Sequence, residues 1–255
     1  MNLPRRREIV GTQVSITDYA EVLDSFDAAI AGDERIFVCC APASTLMFAR
    51  RDERLQQALA AAQIVTPDGM GVVYAARLLG ESIGDRVYGP DLMLAQLERA
   101  AAAGTPTFLV GGHDQAALDL LQETLIDRFP GLSIVGGVSP PHREPTPDER
   151  TATIDAINAS GAQIVWVGLG SPKQELWMMD HRDALAAPVL CGVGAAFDFL
   201  IGRVEQAPRW MQSRGLEWLY RVFKEPRRLG HRYLITLPAF AAGVVSQRLR
   251  GASAE

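Results

Sequence analysis

The chain has 255 residues, of which 48% are hydrophobic and 22% charged, and its formal net charge is −5. This composition is close to that of soluble globular proteins and excludes a fibrous or disordered class. The acidic balance gives no overall signature of nucleic-acid binding. No apolar run approaches the roughly 18 residues that a membrane-spanning helix needs.

The charge is distributed unevenly along the chain. Residues 203–255 contain ten Lys or Arg against four Asp or Glu, net +6, whereas residues 1–202 contain fifteen against twenty-six, net −11. The length suits one large α/β domain, or one domain plus an appendage. We therefore predict an acidic core over 1–202 and a basic, amphipathic helical appendage over 203–255.

Residue types that often ligate metals or form disulfides give no site in this sequence. Cys39, Cys40 and Cys191 lie in apolar, strand-like runs and are too few for a disulfide framework, so we expect buried reduced thiols in a cytoplasmic chain. The histidines are scattered, without metal-ligand spacing, and no acidic DxD-like pair occurs. We expect neither a metal nor a cofactor.

The first strand–turn–helix unit that carries a candidate functional side chain, Asp68, is "TPDGMGVVYAARLLG", residues 66–80. Gln63 to Thr66 is predicted as the end of a buried strand, and the helix is predicted from Val72. Asp68 therefore lies at the carboxyl end of a strand, where open α/β sheets bind ligands. The alternative is that Asp68 caps the helix that follows it.

Three similar units follow, with strands predicted at residues 107–110, 163–167 and 188–191, each followed by a glycine turn. Alternating strands and helices predict an α/β fold with a mostly parallel, Rossmann-like sheet flanked by helices. The turns bring backbone N–H groups to one rim, which suits phosphate. The glycines concerned are Gly111, Gly112, Gly168, Gly170 and Gly192. Each is equally compatible with a simple tight turn.

None of these turns completes the GxGxxG fingerprint, and the chain contains no GxxxxGK[ST] segment, so dinucleotide and P-loop classes are not favoured. In "GSPKQE", Lys173 or Gln174 could contact a ligand from the first turn of the predicted helix. The alternative is that both side chains are solvated at an exposed helix start. Arg86, in "GDRVYGP", is either a diphosphate ligand or an exposed loop residue.

The long loop "GGVSPPHREPTPDER", residues 136–150, is predicted near the same edge of the sheet, where loops of this length are often functional. In the appendage, Trp210, Trp218 and Phe223 are most simply core residues, although aromatic residues beside arginines also mark membrane interfaces. Pro226 is expected to end or kink the appendage helix.

Read in order, "TPDGMGVVYAARLLG", "GGHDQAALDLL", "VGLGSPKQELW" and "GVGAAFDFLIGRVEQAPRWMQSRGLEWLYRVFKEPRRL" resemble the WecG/TagA/CpsF glycosyltransferase family. The likeness runs from about Val38 to Tyr233. It implies transfer of a sugar such as N-acetylmannosamine from a UDP-sugar to a polyprenyl-diphosphate-linked sugar acceptor, in teichoic-acid-type or surface polysaccharide synthesis. It also implies a peripheral position on the inner face of the bacterial membrane.

The resemblance assigns roles to particular residues. It implies that Asp68 is the general base toward the acceptor hydroxyl, that Gln174 contacts donor or acceptor, and that Arg86 is an active-site arginine. It makes Arg221, Arg227 and Arg228 of the appendage candidates for diphosphate contact, and implies that the appendage covers the active site. Two departures lie near the expected pocket: Cys40 and Pro42 stand where family members commonly carry Thr and Asn, and "SPPHREP" replaces an aromatic stretch.

These inferences predict an inverting, metal-independent glycosyltransferase that docks on an anionic membrane surface and binds no nucleic acid. Two alternatives remain at this point: a different nucleotide-sugar enzyme, such as an epimerase or NAD-dependent oxidoreductase, and a non-catalytic scaffold of a polysaccharide pathway. The apolar surface of the appendage serves self-association to a homo-oligomer equally well.

Overall fold

A computed structural model of the chain describes residues 1–224 and 226–252; for residues 221, 226–233 and 252 it describes the backbone only. The strands are β1 (Arg6–Ile9), β2 (Thr12–Ser15), β3 (Ile36–Ala41), β4 (Ile64–Pro67), β5 (Thr107–Gly111), β6 (Ile134–Val138), β7 (Ile164–Gly168) and β8 (Val189–Gly192).

The helices alternate with the strands through most of the chain. They are α1 (Tyr19–Gly32), α2 (Ala43–Ala49), α3 (Glu53–Ala61), α4 (Met70–Leu78), α5 (Gly89–Ala103), α6 (Gln115–Arg128), α7 (Pro147–Ser160), α8 (Lys173–His181), α9 (Ala196–Leu200), α10 (Arg209–Ser213), α11 (Glu217–Lys224) and α12 (Pro226–Ala252). A short 3₁₀ helix at Arg182–Ala184 follows α8.

Six strands form one sheet in the order β4-β3-β8-β7-β5-β6, and every neighbouring pair is parallel. This confirms the predicted parallel α/β fold. Strands β1 and β2 form a separate antiparallel hairpin. The Val65 N–H of β4 donates to the Ser15 hydroxyl at 3.1 Å, which fixes the hairpin beside the edge strand of the main sheet.

Both faces of the sheet are covered, because its strands carry apolar residues on both sides. All six residues of β3 are buried, and alternate residues point to opposite cores: Phe37 and Cys39 to one, Ile36 and Val38 to the other. Near-continuous apolar strands of this kind are typical of parallel sheets with helices on both faces. The three cysteines are buried and free, as predicted.

The appendage is packed on the core at its C-terminal end. Phe240 and Val244 of α12 are buried in the same core as Ile9 of the β1–β2 hairpin. The Gln247 amide oxygen accepts from the Val10 N–H at 2.9 Å, which adds a polar contact to that packing. Helix α11 ends at Lys224 and α12 begins at Pro226, so the proline separates two helices as expected.

None of the helices in the part of the chain that the structure describes combines the length and apolar character needed to cross a bilayer.

Two strand ends approach each other too closely for any side chain. Gly111, at the end of β5, has φ +141°, and a Cβ there would lie 2.8 Å from the carbonyl oxygen of Gly168 at the end of β7. Gly168 in turn faces the Phe197 ring, 2.6 Å from its own Cβ position. Glycine at both positions therefore lets β5, β7 and α9 pack together.

Gly111→Ala is expected to lower the free energy of unfolding by about 1–3 kcal/mol, because the added methyl group meets backbone atoms that cannot rotate away. Urea denaturation measures the change. Gly84→Ala is the matched control, since a Cβ at that exposed loop position meets no atom within 4 Å. Equal loss of stability in the two variants would contradict the close-approach argument.

Candidate active-site cleft

A cleft of about 1670 Å³ lies over the carboxyl ends of the parallel strands. In an open α/β sheet this is the edge at which ligands bind. The cleft brings together most of the residues singled out in the sequence: Asp68, Arg86, Gly112, Gly168, Gly170, Lys173 and Gln174. Gly111 and Gly192 lie beneath the lining and serve its packing, since a Cβ on Gly192 would lie 2.8 Å from Met178 Cε.

Asp68 follows β4 directly and lies in the wall of the cleft, half-buried. Its Oδ1 accepts a hydrogen bond of 2.8 Å from the Gly89 N–H, the first residue of α5. The helix that follows Asp68 in sequence, α4, has Gly69 as its N-cap and no side-chain cap. The interpretation that Asp68 caps its own helix is therefore wrong; the carboxylate holds the start of α5.

Arg86 is 8% exposed and is held by the appendage. Its Nη1 donates to Glu217 Oε2 at 2.7 Å and its Nη2 donates to Gln212 Oε1 at 2.8 Å. Its guanidinium carbon lies 4.1 Å from the centroid of the Tyr88 ring. The Tyr88 hydroxyl donates to Glu217 Oε1 at 3.0 Å, so both carboxylate oxygens of Glu217 are engaged.

The charges of this cluster reinforce one another. Burial by itself lowers the pKa of Arg86, but the hydrogen bond and ion pair with Glu217 outweigh it and raise that pKa above its usual value. Burial, followed by the nearby Glu217 and Asp68 carboxylates, raises the pKa of Tyr88. Arg86 stays a cation and Tyr88 a neutral donor, which is the combination that a carboxylate binds best.

Gln174 and Glu175, in the first turn of α8, form a second buried cluster. Gln174 is 2% exposed; its amide oxygen accepts from the Gly194 N–H at 2.9 Å and its Nε2 donates to Glu175 Oε1 at 3.2 Å. Glu175 is fully buried, and its Oε2 has no hydrogen-bond partner among the residues that the structure describes. Gln174 thus fixes the turn after β8 from within the wall.

Several helices that begin at the cleft lack a side-chain cap at the N-terminus. Helices α4 and α8 begin at the cleft, and neither has a side-chain cap. Helices α1, α3, α6 and α7 are each capped by the side chain of an Asp or Thr. A helix N-terminus carries N–H groups without intrahelical partners and a partial positive charge. The uncapped ends of α4 and α8 therefore suit an anionic ligand.

The sequence did not indicate several lining residues. Tyr88 and Glu217 line the cleft, as do His113 and His142, whose ring centroids are 4.9 Å apart. His142 lies in the loop after β6, which confirms that this loop reaches the predicted edge. In the sequence, Glu217 is only one acid in a basic appendage. Its hydrogen-bond partner Arg86 is 131 residues away along the chain.

Predictions for the appendage have mixed outcomes. The side chains of Arg221, Arg227 and Arg228 lie outside the described residues. The core interpretation of two aromatic residues is wrong: Trp210 is 56% and Phe223 is 78% exposed. Among the described residues, no group of three His, Cys, Asp or Glu side chains could hold a metal ion.

The fold and the cleft define a Rossmann-like α/β protein with its ligand site at the carboxyl edge of a parallel sheet. Residues 7–254 match the model of the glycosyl transferase WecG/TagA/CpsF family, and the chain belongs to that family. This confirms the resemblance found in the sequence. The protein is accordingly a glycosyltransferase of cell-surface polysaccharide or teichoic acid synthesis.

The buried Glu175 gives the protein a specific pH dependence. Burial raises the pKa of Glu175 above its usual value, against smaller opposing hydrogen bonds. The folded state therefore holds this proton more tightly than the unfolded chain does. That contribution is fully present below the unfolded pKa of about 4.3 and is lost as pH rises through the folded-state pKa.

Glu175→Gln is expected to gain stability relative to the wild type as pH rises above the unfolded pKa of about 4.3. Urea denaturation at a series of pH values measures the difference. Glu123→Gln, at an exposed position on α6, is the control and should follow the wild type throughout. A constant difference between Glu175→Gln and the wild type would contradict the prediction.

Proposed function

We propose that the protein transfers a sugar from a UDP-sugar to a polyprenyl-diphosphate-linked sugar acceptor with inversion at the anomeric carbon. The observation that carries the proposal is the placement of Asp68 in the wall of the cleft at which α4 and α8 begin without side-chain caps. An anionic base beside an anion-binding surface is what such a transfer requires.

In the proposed reaction, an acceptor hydroxyl oxygen attacks the anomeric carbon as the bond from that carbon to the UDP oxygen breaks. The hydroxyl proton passes to the Asp68 carboxylate, and the electron pair of the broken bond leaves with UDP. General base catalysis of this kind contributes about 10²- to 10⁴-fold.

The leaving diphosphate gains negative charge, which preorganised donors stabilise. Backbone N–H groups of the turns at Gly112, Gly168 and Gly170 and the first turn of α8 line the same cleft, with Lys173 beside them. Arg86 has five N–H donors and uses two side-chain partners, so it retains donors for a phosphate oxygen.

Nothing in this arrangement requires a cofactor, and activity in the presence of EDTA would test the prediction of metal independence.

A lipid-linked acceptor stays in the bilayer, so the protein must bring its cleft to the membrane. The appendage carries net +6, and each basic residue near an anionic surface contributes about 1 kcal/mol. Exposed apolar side chains, Phe223 and Leu234 among them, accompany these charges. We propose that this surface docks on the inner face of the cell membrane.

Asp68→Asn is expected to lower acceptor-dependent UDP release by about 10²- to 10⁴-fold, because the amide cannot take the hydroxyl proton. The assay uses a panel of UDP-sugars with a short-chain polyprenyl-diphosphate sugar. Asparagine can still accept from the Gly89 N–H, so binding of UDP and the thermal unfolding temperature should change little. Full activity in Asp68→Asn would remove the base role, and release without acceptor in both proteins would indicate hydrolysis.

Replacing Phe223 and Leu234 together by alanine is expected to weaken binding to anionic vesicles at least about tenfold, since each buried apolar side chain contributes about 1.5–3 kcal/mol. Co-sedimentation measures it. The control pair Leu120→Ala with Ile126→Ala removes exposed apolar residues of α6 and should bind as the wild type does. Equal loss in both pairs would contradict docking through the appendage.

A further inference from the structure

Glu217, the first residue of α11, joins the appendage to the loop that precedes α5. Arg86 and Tyr88 of that loop each donate to a different oxygen of the Glu217 carboxylate, at 2.7 and 3.0 Å. The side chains of the Arg86–Glu217 ion pair are 9% and 15% exposed. A charge pair so shielded from water holds its geometry far more firmly than a surface pair does.

Helix α10 completes the contact. Gln212 accepts from the second terminal nitrogen of Arg86 and donates through Nε2 to the Ala207 carbonyl oxygen at 2.7 Å. The Arg86 guanidinium is therefore held by two residues of the appendage and lies against the Tyr88 ring. With three fixed partners, this side chain has little freedom to rotate without moving α10 and α11.

The residue after Tyr88 is Gly89, whose N–H donates to Asp68 Oδ1. Gly89 packs closely against the ends of two strands, because a Cβ added there would lie 3.3 Å from Cys40 Cβ and 3.4 Å from Val193 Cα. The Val87 carbonyl also accepts from the Thr66 hydroxyl at 3.1 Å. Residues at the strand ends thus contact the loop on one side, and Glu217 contacts it through Arg86 and Tyr88.

We propose that Glu217 is a positioning residue for Asp68. By fixing Arg86 and Tyr88 it fixes the Gly89 N–H, and through that hydrogen bond the orientation of the carboxylate. The inference rests on the proposed role of Asp68 as the base. It makes the contact of Glu217 with this loop a condition for an ordered base.

The appendage contains a matched control for this cluster. Glu205 also accepts from a tyrosine hydroxyl, Tyr220 at 3.0 Å, and pairs with a cation, Lys224 at 2.6 Å. Its side chain is 67% exposed, and neither partner belongs to the loop before α5. Loss of Glu205 removes a similar set of contacts from the appendage without touching Arg86, Tyr88 or Gly89.

The experiment compares Glu217→Ala, Glu217→Gln and Glu205→Ala with the wild-type full-length protein. Hydrogen exchange of the peptide that contains Gly89 reports the loop without any need for activity. Glu217→Ala should speed exchange there and lower kcat about 10- to 100-fold, with little change in KM for the donor. Glu217→Gln keeps an acceptor for Arg86 and should recover part of both effects. Glu205 itself lines the cleft, so its alanine variant serves as the control for exchange at the Gly89 peptide, which it should leave as in the wild type.

Equal exchange at Gly89 in Glu217→Ala and Glu205→Ala would overturn the proposal, as would a change confined to KM. If Glu217→Ala does not fold, Glu217→Gln and Tyr88→Phe, which lose only the charge or one hydrogen bond, decide the question by the same two readouts. If the wild type transfers no sugar, the proposed function fails, and the exchange comparison still shows whether Glu217 holds the loop.

Discussion

The parallel sheet, buried on both faces, is the constraint on which the rest of the structure depends. Helices cover both sides of the six strands, so the sheet meets solvent at the ends of its strands, and all six strands end at the same edge. Polar groups that must reach a ligand therefore collect there, and the close approach of Gly111 to Gly168 keeps that edge compact. The cleft is a consequence of strand direction before it is a consequence of any particular side chain.

Two buried ionisable groups of the cleft wall differ in the chemistry of their neighbours. Arg86 is matched by Glu217 and its pKa rises. Glu175 has a hydrogen bond from Gln174 but no salt bridge to a cation in the part of the chain that the structure describes, and burial raises its pKa, which favours the neutral form. The Arg86–Glu217 ion pair binds two segments of the chain together. Gln174, which donates to Glu175, also accepts from the turn after β8, so the buried Glu175 helps to hold that turn at an electrostatic cost.

The sequence was sufficient for the sheet, the glycine turns and the position of Asp68, because each depends on neighbouring residues: alternating apolar runs, turns and strand ends. It was insufficient for the partner of Asp68, since the Gly89 N–H lies 21 residues further along the chain. Glu217 was missed for the same reason. Trp210 and Phe223 were misread because helical periodicity identifies an apolar face but does not say whether protein covers it. Long-range pairing and surface coverage are properties of the folded chain.

The difference between capped and uncapped helices has a thermodynamic consequence for the protein as a whole. A side-chain cap contributes about 1 kcal/mol to a helix, and α4 and α8 forgo that contribution where they meet the cleft. The empty protein is thus less stable than the same fold with all its helices capped. An anion that binds these ends supplies the missing interactions and, because it binds only the folded state, shifts the folding equilibrium toward that state. Binding of an anion in the cleft and the free energy of unfolding are in this way thermodynamically linked.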